Sequence, residues 1–167
     1  CRSWDLANSR EGDYTAGFRV AGPDRDGLWY LVGRVKGRWE AAARNKIIRQ
    51  TAEVIDGPTV RITVPKDPGA GGKEAAESLV RLLAGFPVEA VPVTRGQGDK
   101  EQRAFPLAAQ VGAGNVRMLR GPWNAETLDE MAKFPSGTHD DEVDAMADAF
   151  NRLARSSVPV SGVVGAP

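Results

Sequence analysis

The spacing of apolar residues is strand-like over the first 36 residues, and helical spacing first appears after them. This order limits the folds that are available to the chain. Up to residue 36 the apolar residues alternate in the runs RSWDLA, YTAGFRV and LWYLVGRVK, and the last two flank the turn-forming segment GPDRDG. Such runs predict sequential strands in an antiparallel meander. From residue 39 onward, helical spacing alternates with β-branched runs. Because a strand–helix–strand step requires a parallel crossover, the sequence predicts an α/β fold with a mixed central sheet, in which three antiparallel strands are followed by parallel strands and helices flank the sheet.

The later elements are bounded by glycine and proline. Helices are predicted at 39–55, 73–85, 100–114, 125–134 and 139–155, and strands at 59–64, 88–93 and 115–119. With 167 residues, of which 41% are hydrophobic, the chain is long enough for one domain with a real core, which we assign to residues 1–155. Residues 156–167 have no period and are predicted to form a flexible tail.

Composition excludes several classes of function. The 22 basic and 22 acidic side chains cancel, so any contact with nucleic acid must come from a local patch or from metal ions. The single cysteine and the single histidine exclude a disulfide framework, a cysteine zinc cluster and a histidine-rich metal centre. No apolar run is long enough to span a bilayer and no signal peptide is visible, which predicts a reducing, cytoplasmic setting and no membrane partner.

Carboxylates are concentrated at the ends of the predicted elements. Asp5 lies on the first strand between two apolar neighbours, and Asp67 follows the strand TVRITV. Asp140, Asp141 and Asp144 begin the last helix, where Asp141 and Asp144 share one side beside an apolar stripe. If the first strand is central, the edge of this helix can approach both strand ends.

This placement has two interpretations. Each acid alone has an ordinary structural role, since Asp140 and Asp141 suit a helix start, Asp67 suits a turn, and Asp5 could be a hydrogen-bonded strand residue. Carboxylates grouped without histidine or thiolate also suit Mg²⁺ or Mn²⁺, and two such ions are typical of phosphodiester cleavage. The joint placement at a strand, a strand end and a helix start favours the metal site.

Four ordered motifs resemble the C-terminal nuclease domain of the large terminase subunit of tailed double-stranded DNA phages, which has an RNase H-like fold. The motifs are WDLA…GDYTAG, VPKDPGAGGK, GDKEQRAFPLAAQVGAGNVRML and GPWNAETLDEMAKFPSGTHDDEVDAMADAF. They cover nearly the whole chain. The resemblance implies an endonuclease that cuts concatemeric phage DNA by hydrolysis with two Mg²⁺ or Mn²⁺ ions.

The resemblance also implies roles for individual residues. The catalytic metal ligands that it implies are Asp5, Asp67 and Asp141, with Asp140 and Asp144 as further candidate ligands. Asp67 stands where relatives often have glutamate, and the motif leaves open which acid contacts which ion. His139, Asp13 and Lys100 are candidates for a supporting role.

The resemblance further implies partners. Contacts with double-stranded DNA are predicted for local basic side chains, namely Arg34, Lys36, Arg38, Arg95, Lys100, Arg103, Arg117 and Arg120. The chain does not begin with Met, which agrees with a preceding ATPase domain, and the small terminase subunit and the portal are the other implied partners, in the host cytoplasm. No ATPase activity is expected from this chain because GAGGKE is too short for a phosphate-binding loop.

Two alternatives remain open at this point. One is another RNase H-like nuclease, of the junction resolvase or integrase type. The other is a non-catalytic module that docks on DNA or on the portal. The closing block and the complete set of acids favour the terminase nuclease.

Overall fold

A computed structural model describes residues 1–7, 12–93 and 99–157. Within these ranges the strands are β1 (Arg2–Asp5), β2 (Thr15–Ala21), β3 (Trp29–Gly37), β4 (Ile62–Lys66), β5 (Val88–Pro92) and β6 (Val116–Met118). The helices are α1 (Ala41–Gln50), α2 (Ala70–Leu82), α3 (Asp99–Gly112), α4 (Asn124–Lys133) and α5 (Asp141–Ser157), and α1 continues into a π-helical segment, Thr51–Asp56. None of the helices in these ranges is long and apolar enough to cross a membrane.

The strands form one mixed sheet in the order β5-β4-β1-β2-β3-β6. β1, β2 and β3 are antiparallel neighbours, whereas β4 is parallel to β1, β5 to β4 and β6 to β3. The predicted fold class, a meander followed by parallel crossovers, is therefore confirmed. β1 lies inside the sheet, between β4 and β2, as the approach of the last helix to this strand requires.

Helices cover both faces of the sheet. On one face Phe18 and Leu31 pack against Met146 and Phe150 of α5. On the other face Trp4 packs with residues of β4, α1 and α2. Side chains alternate along a strand, so Asp5, the neighbour of Trp4, lies on the face that α5 covers.

A glycine makes room for the largest side chain of β1. Gly17 pairs with Trp4 across β1 and β2, and a Cβ at this position would lie 2.6 Å from the Trp4 ring. The missing side chain lets the indole lie flat on the neighbouring strand. This packing anchors the strand that carries Asp5.

Two helices differ from the predicted pattern. α5 was expected to bury one apolar stripe, but it is buried on almost all sides, since Ala145 and Ala149 pack toward the sheet and Ala147 packs toward α3. The predicted helix 39–55 ends differently in the structure, since its last apolar residue, Ile55, is 56% exposed. The π-helical segment rotates the last turn relative to α1, so that the Asp56 side chain is buried and that of Ile55 is exposed. Asp56 there forms a buried ion pair with Arg2.

The predicted boundary between the domain and its tail lies close to the last of the described residues. α5 ends at Ser157, close to the predicted limit of the domain at residue 155. The predicted tail lies almost entirely outside the described residues. The assignment of residues 1–155 as the domain stays a prediction.

Candidate active site

The edge of the sheet that matters here is formed by strand termini, since β1 and β4 end there and β2 begins there. Asp5 is the last residue of β1, and Asp67 directly follows β4, which runs parallel to β1. Asp5 is paired with Ala16 at the start of β2, so Asp13 and Tyr14 precede β2 at the same edge. Asp5 and Asp67, the two acids that the sequence places at strand ends, therefore lie at the same edge of the sheet.

The start of α5 is fixed to this edge. The Tyr14 N–H donates a hydrogen bond to Oδ2 of Asp141, the first residue of α5, at 3.3 Å. His139 Nδ1 lies 3.9 Å from the same oxygen, close enough for an ion pair when the imidazole is protonated. The His139 ring also contacts the Tyr14 ring edge to face, with centroids 5.0 Å apart. Asp141 thus faces the beginning of β2, where the Tyr14 N–H and the His139 ring both approach its Oδ2.

The Asp5 carboxylate lies in a negative field. Burial and the charges of Asp144 and Asp141 together raise its pKa to about 7, while Lys100 opposes them. Within the described residues, the Asp5 carboxylate accepts no hydrogen bond and forms no ion pair. A carboxylate in this setting gains strongly from a nearby cation.

Asp141 is in a similar position. Its pKa is raised to about 6, chiefly by burial and also by the nearby carboxylates of Asp13 and Glu130, while the hydrogen bond from the Tyr14 N–H lowers it. Asp13 is exposed, so it contributes charge to the site from its rim. The supporting position predicted for Asp13 is therefore next to Asp141.

The other acids at the start of α5 have cations from α3 as partners. Lys100 Nζ lies 2.7 and 2.8 Å from the two Asp140 carboxylate oxygens and 3.1 Å from Asp144. Arg103 donates to Asp144 at 3.0 Å. Burial alone would lower the pKa of Lys100, but its bonds with Asp140 and Asp144 raise it. α3 thus neutralises two of the candidate ligands, Asp140 and Asp144.

Asp67 is placed by the loop that precedes α2. A Cβ at Gly72 would lie 2.4 Å from the Asp67 carbonyl oxygen, so the loop can fold back on the first turn of α2 only because this residue is glycine. The Asp67 side chain is partly exposed. The structure puts it at the same edge as Asp5, directly after the neighbouring strand β4.

The chemistry of these donors fits a hard divalent cation. Asp5 and Asp141 offer carboxylate oxygens, the ligands that Mg²⁺ and Mn²⁺ prefer, and their mutual repulsion would fall on binding. In the ranges that the structure describes, no group of three or more His, Cys, Asp and Glu residues is already arranged to hold a metal ion. Completing a site would require Asp140 or Asp144 to exchange its α3 cation for the metal, or Asp67 to turn inward.

Besides Lys100 and Arg103, two further predicted DNA-binding residues, Arg34 and Lys36, have carboxylate partners inside the domain. We call the set Arg34, Lys36, Glu126, Glu130 and Glu142 the buried charge cluster, because every side chain in it except that of Glu126 is at most 15% exposed. Lys36 Nζ lies 2.7 Å from Glu130 and 2.8 Å from Glu142, and it is only 7% exposed. Arg34 pairs with Glu142 and Glu126. These contacts give Arg34 and Lys36 a structural role, and their predicted contact with DNA stays a prediction.

The remaining basic residues are distributed around the molecule. Lys100 is half exposed at the edge with the acids, and the exposed Arg38 guanidinium stacks 4.2 Å from the centre of the Tyr14 ring. Arg117 and Arg120 are exposed on and after β6, which pairs with the first residues of β3, away from the end of β3 beside Asp5. Arg95 lies outside the described residues.

Sequence reasoning missed Glu130 and Glu142. Glu142 is fully buried, and the Thr127 hydroxyl donates to it. One signal was present in the sequence: Glu142 stands three and four positions before Ala145 and Met146, on the apolar side of α5. A charged residue at such a position requires buried partners.

The raised pKa of Asp5 leads to a prediction for the metal-free protein. The folded carboxyl holds its proton up to about pH 7, whereas the unfolded one loses it near 3.8, so this contribution to stability is present at low pH and is lost as the pH rises through 7. Between pH 3.8 and about pH 7, the Asp5 carboxyl by itself should lower the free energy of unfolding by about 1.4 kcal/mol per pH unit. Asp141 and Asp148, with pKa values raised to about 6, act in the same direction.

Urea unfolding in EDTA between pH 5 and pH 8 measures this dependence. Asp5→Asn should remove the largest share of the slope between pH 6 and pH 7, where Asp141 and Asp148, with pKa values of about 6, contribute less than Asp5. An identical slope in wild type and variant would contradict the assignment.

The mixed sheet, with a meander, a central β1 ending in an acid and an acidic helix start beside it, defines an RNase H-like domain. The chain belongs to the terminase RNaseH-like domain family, whose match spans residues 2–153. Comparison with curated proteins gives no match. The family confirms both the fold and the resemblance identified from the sequence motifs, and it supports a nuclease-type domain of a phage terminase, with DNA as the general substrate.

Proposed function

We propose that this domain is a Mg²⁺- or Mn²⁺-dependent endonuclease that cuts concatemeric double-stranded DNA during phage genome packaging. The observation that carries the proposal is the approach of Asp141 and Asp144 of α5 to Asp5 of β1, whose pKa is raised to about 7 by burial and by these two charges. A group of acids this unfavourable without a cation is typical of a metal-dependent site. The family adds the substrate class.

Each acid has a distinct task in this proposal. Asp5, Asp67 and Asp141 would hold the ions, and Asp140 or Asp144 would complete the site. Bound divalent ions would supply an activated water and a counter-charge for the leaving 3′ oxygen. Asp5 is fixed by the sheet and Asp141 by the Tyr14 N–H. His139, whose Nδ1 lies near the same carboxylate oxygen, would help to orient Asp141.

DNA would be held through its phosphates. Lys100 and Arg103 lie beside the acids, and Arg38 is exposed above Tyr14 at the same edge. Phosphate contacts carry no sequence information, so cleavage should show little sequence preference. In the packaging motor, in the host cytoplasm, the partners would be an ATPase domain, the small terminase subunit and the portal.

The Lys100 side chain supports a prediction that separates metal binding from DNA binding. Lys100→Ala removes a cation that competes with metal for Asp140 and Asp144, so Mn²⁺ should bind about 2- to 5-fold more tightly. The same change removes a phosphate contact, so a DNA duplex should bind more weakly. Calorimetry with Mn²⁺ and fluorescence anisotropy with labelled duplex measure the two effects.

Lys133→Ala is the matched control, because Lys133 is also exposed and paired with an aspartate, Asp129, on α4. It should change neither affinity. If Lys100→Ala leaves both affinities at the wild-type value, Lys100 does not take part in the site.

Incubation of the purified chain with supercoiled plasmid tests the function itself. With Mg²⁺ or Mn²⁺ we expect nicked and linear products, and with EDTA none. Cleavage that persists in EDTA would contradict the metal-dependent mechanism, and binding without cleavage would favour a docking module. A strong preference for a four-way junction over linear duplex would indicate a resolvase-type enzyme.

A further inference from the structure

The first turn of α5 is capped by a side chain from another helix. The N–H groups of a helix's first turn have no partners inside the helix. The side-chain oxygen of a nearby Asp, Ser or Thr usually accepts hydrogen bonds from them. Here Glu130 of α4 takes that role: its Oε1 accepts the N–H of Glu142 at 2.6 Å and the N–H of Val143 at 3.3 Å. The expectation that the Asp140 carboxylate caps this helix is therefore replaced, since that carboxylate is bound to Lys100.

The capping carboxylate is itself held in place. Its second oxygen accepts from Lys36 Nζ at 2.7 Å, and Lys36 also reaches Glu142 at 2.8 Å. Glu142 is fully buried and receives further bonds from Thr127 and Arg34. Glu130 is thus fixed by β3 through Lys36, and it fixes in turn the two residues that follow Asp141.

We infer that Glu130 is a positioning residue for Asp141: by capping α5 in place of the local aspartates, it sets the rotation of the first turn and leaves the Asp141 carboxylate available to the edge where Asp5 lies. This inference rests on the proposed function, in which Asp141 binds metal. Residues that orient a ligand without touching the ion commonly change metal affinity by about 10- to 100-fold.

Three variants test this role at one helix. Glu130→Ala removes the cap and should weaken Mn²⁺ binding about tenfold or more. Glu130→Gln keeps an oxygen that can accept the two N–H groups, so its Mn²⁺ affinity should stay within about threefold of wild type. Glu126→Gln is the control, since Glu126 also belongs to the buried charge cluster but is exposed and caps nothing.

Calorimetry with Mn²⁺, well below the unfolding temperature, gives the affinities. Amide hydrogen exchange of Glu142 and Val143 in EDTA gives a readout that needs no metal. Exchange should be about tenfold faster or more in Glu130→Ala, and unchanged in Glu126→Gln. If Glu130→Ala does not fold, Glu130→Asp, which keeps the charge but shortens the reach, takes its place, with weaker Mn²⁺ binding expected.

The inference is overturned if Glu130→Ala, or Glu130→Asp in its place, binds Mn²⁺ as tightly as wild type. It is also overturned if Glu126→Gln weakens binding equally, because the effect would then be one of general charge. A wild-type chain that binds no Mn²⁺ at all would overturn the proposed function instead. The exchange comparison in EDTA would still decide whether Glu130 caps the helix.

Discussion

Asp5→Asn should reduce the Mn²⁺-dependent cleavage rate by about 10²- to 10⁴-fold, because a metal ion contributes several kcal/mol of transition-state stabilisation that depends on its ligands. Asparagine has nearly the same shape as aspartate but offers a neutral, weaker oxygen donor. The variant should fold normally, since Asp5 forms no ion pair with the described part of the chain. Initial rates of plasmid nicking at saturating Mn²⁺ measure the effect.

Asp148→Asn provides the matched control for this variant. Asp148 lies on the same helix as Asp141, has a pKa raised to about 6 and adds negative charge near Asp5, but it is 44% exposed and is not a proposed ligand. Its rate should remain close to that of wild type. At pH 8 in EDTA, Asp5→Asn should melt at the wild-type temperature or above it, and a large drop would identify Asp5 as a structural residue.

The largest loss of stability is expected for Lys36→Met. Removing this cation leaves the buried carboxylates of Glu130 and Glu142 with too little positive charge, and breaking a buried ion pair from one side costs about 3–5 kcal/mol. Burial would lower the pKa of Lys36, but its bonds with Glu130 and Glu142 raise it, which agrees with a charged amine held inside the domain. Urea unfolding at pH 7 measures the change.

Lys133→Met is the comparison for this second variant. Its side chain is 62% exposed, and its ion pair with Asp129 should contribute less than about 1 kcal/mol. Adding Glu130→Gln to Lys36→Met should recover part of the lost stability, because one unpaired buried charge is removed. Equal effects of the two lysine variants would show that the buried charge cluster does not stabilise the fold.

The order of strands and helices could be predicted from the sequence because it depends on local periodicity. The alternation before residue 36 and the helical spacing after residue 39 gave the meander and the crossovers that the structure contains. The predicted fold is enough to place Asp5 and Asp67 at one edge of the sheet, because neighbouring parallel strands end on the same side. This much of the site follows from pattern and topology alone.

The pairing of charges could not be predicted, because it depends on residues far apart in the sequence. Arg34 and Glu142 are separated by 108 residues, and nothing local distinguishes Arg34 from a surface arginine that could bind DNA. The same holds for the cap on α5: aspartates beside a helix start suggest a local cap, and only the packing of α4 reveals that Glu130 takes that role. Local signals thus predicted the positions of the acids but not their partners.

Diffraction from crystals soaked in Mn²⁺, with data collected at the manganese absorption edge, is the most direct test of the account. We predict anomalous density at the end of β1, in contact with the carboxylates of Asp5 and Asp141, and its loss in Asp5→Asn crystals. Manganese bound elsewhere on the chain, or bound at this edge without Asp5, would contradict the proposed active site.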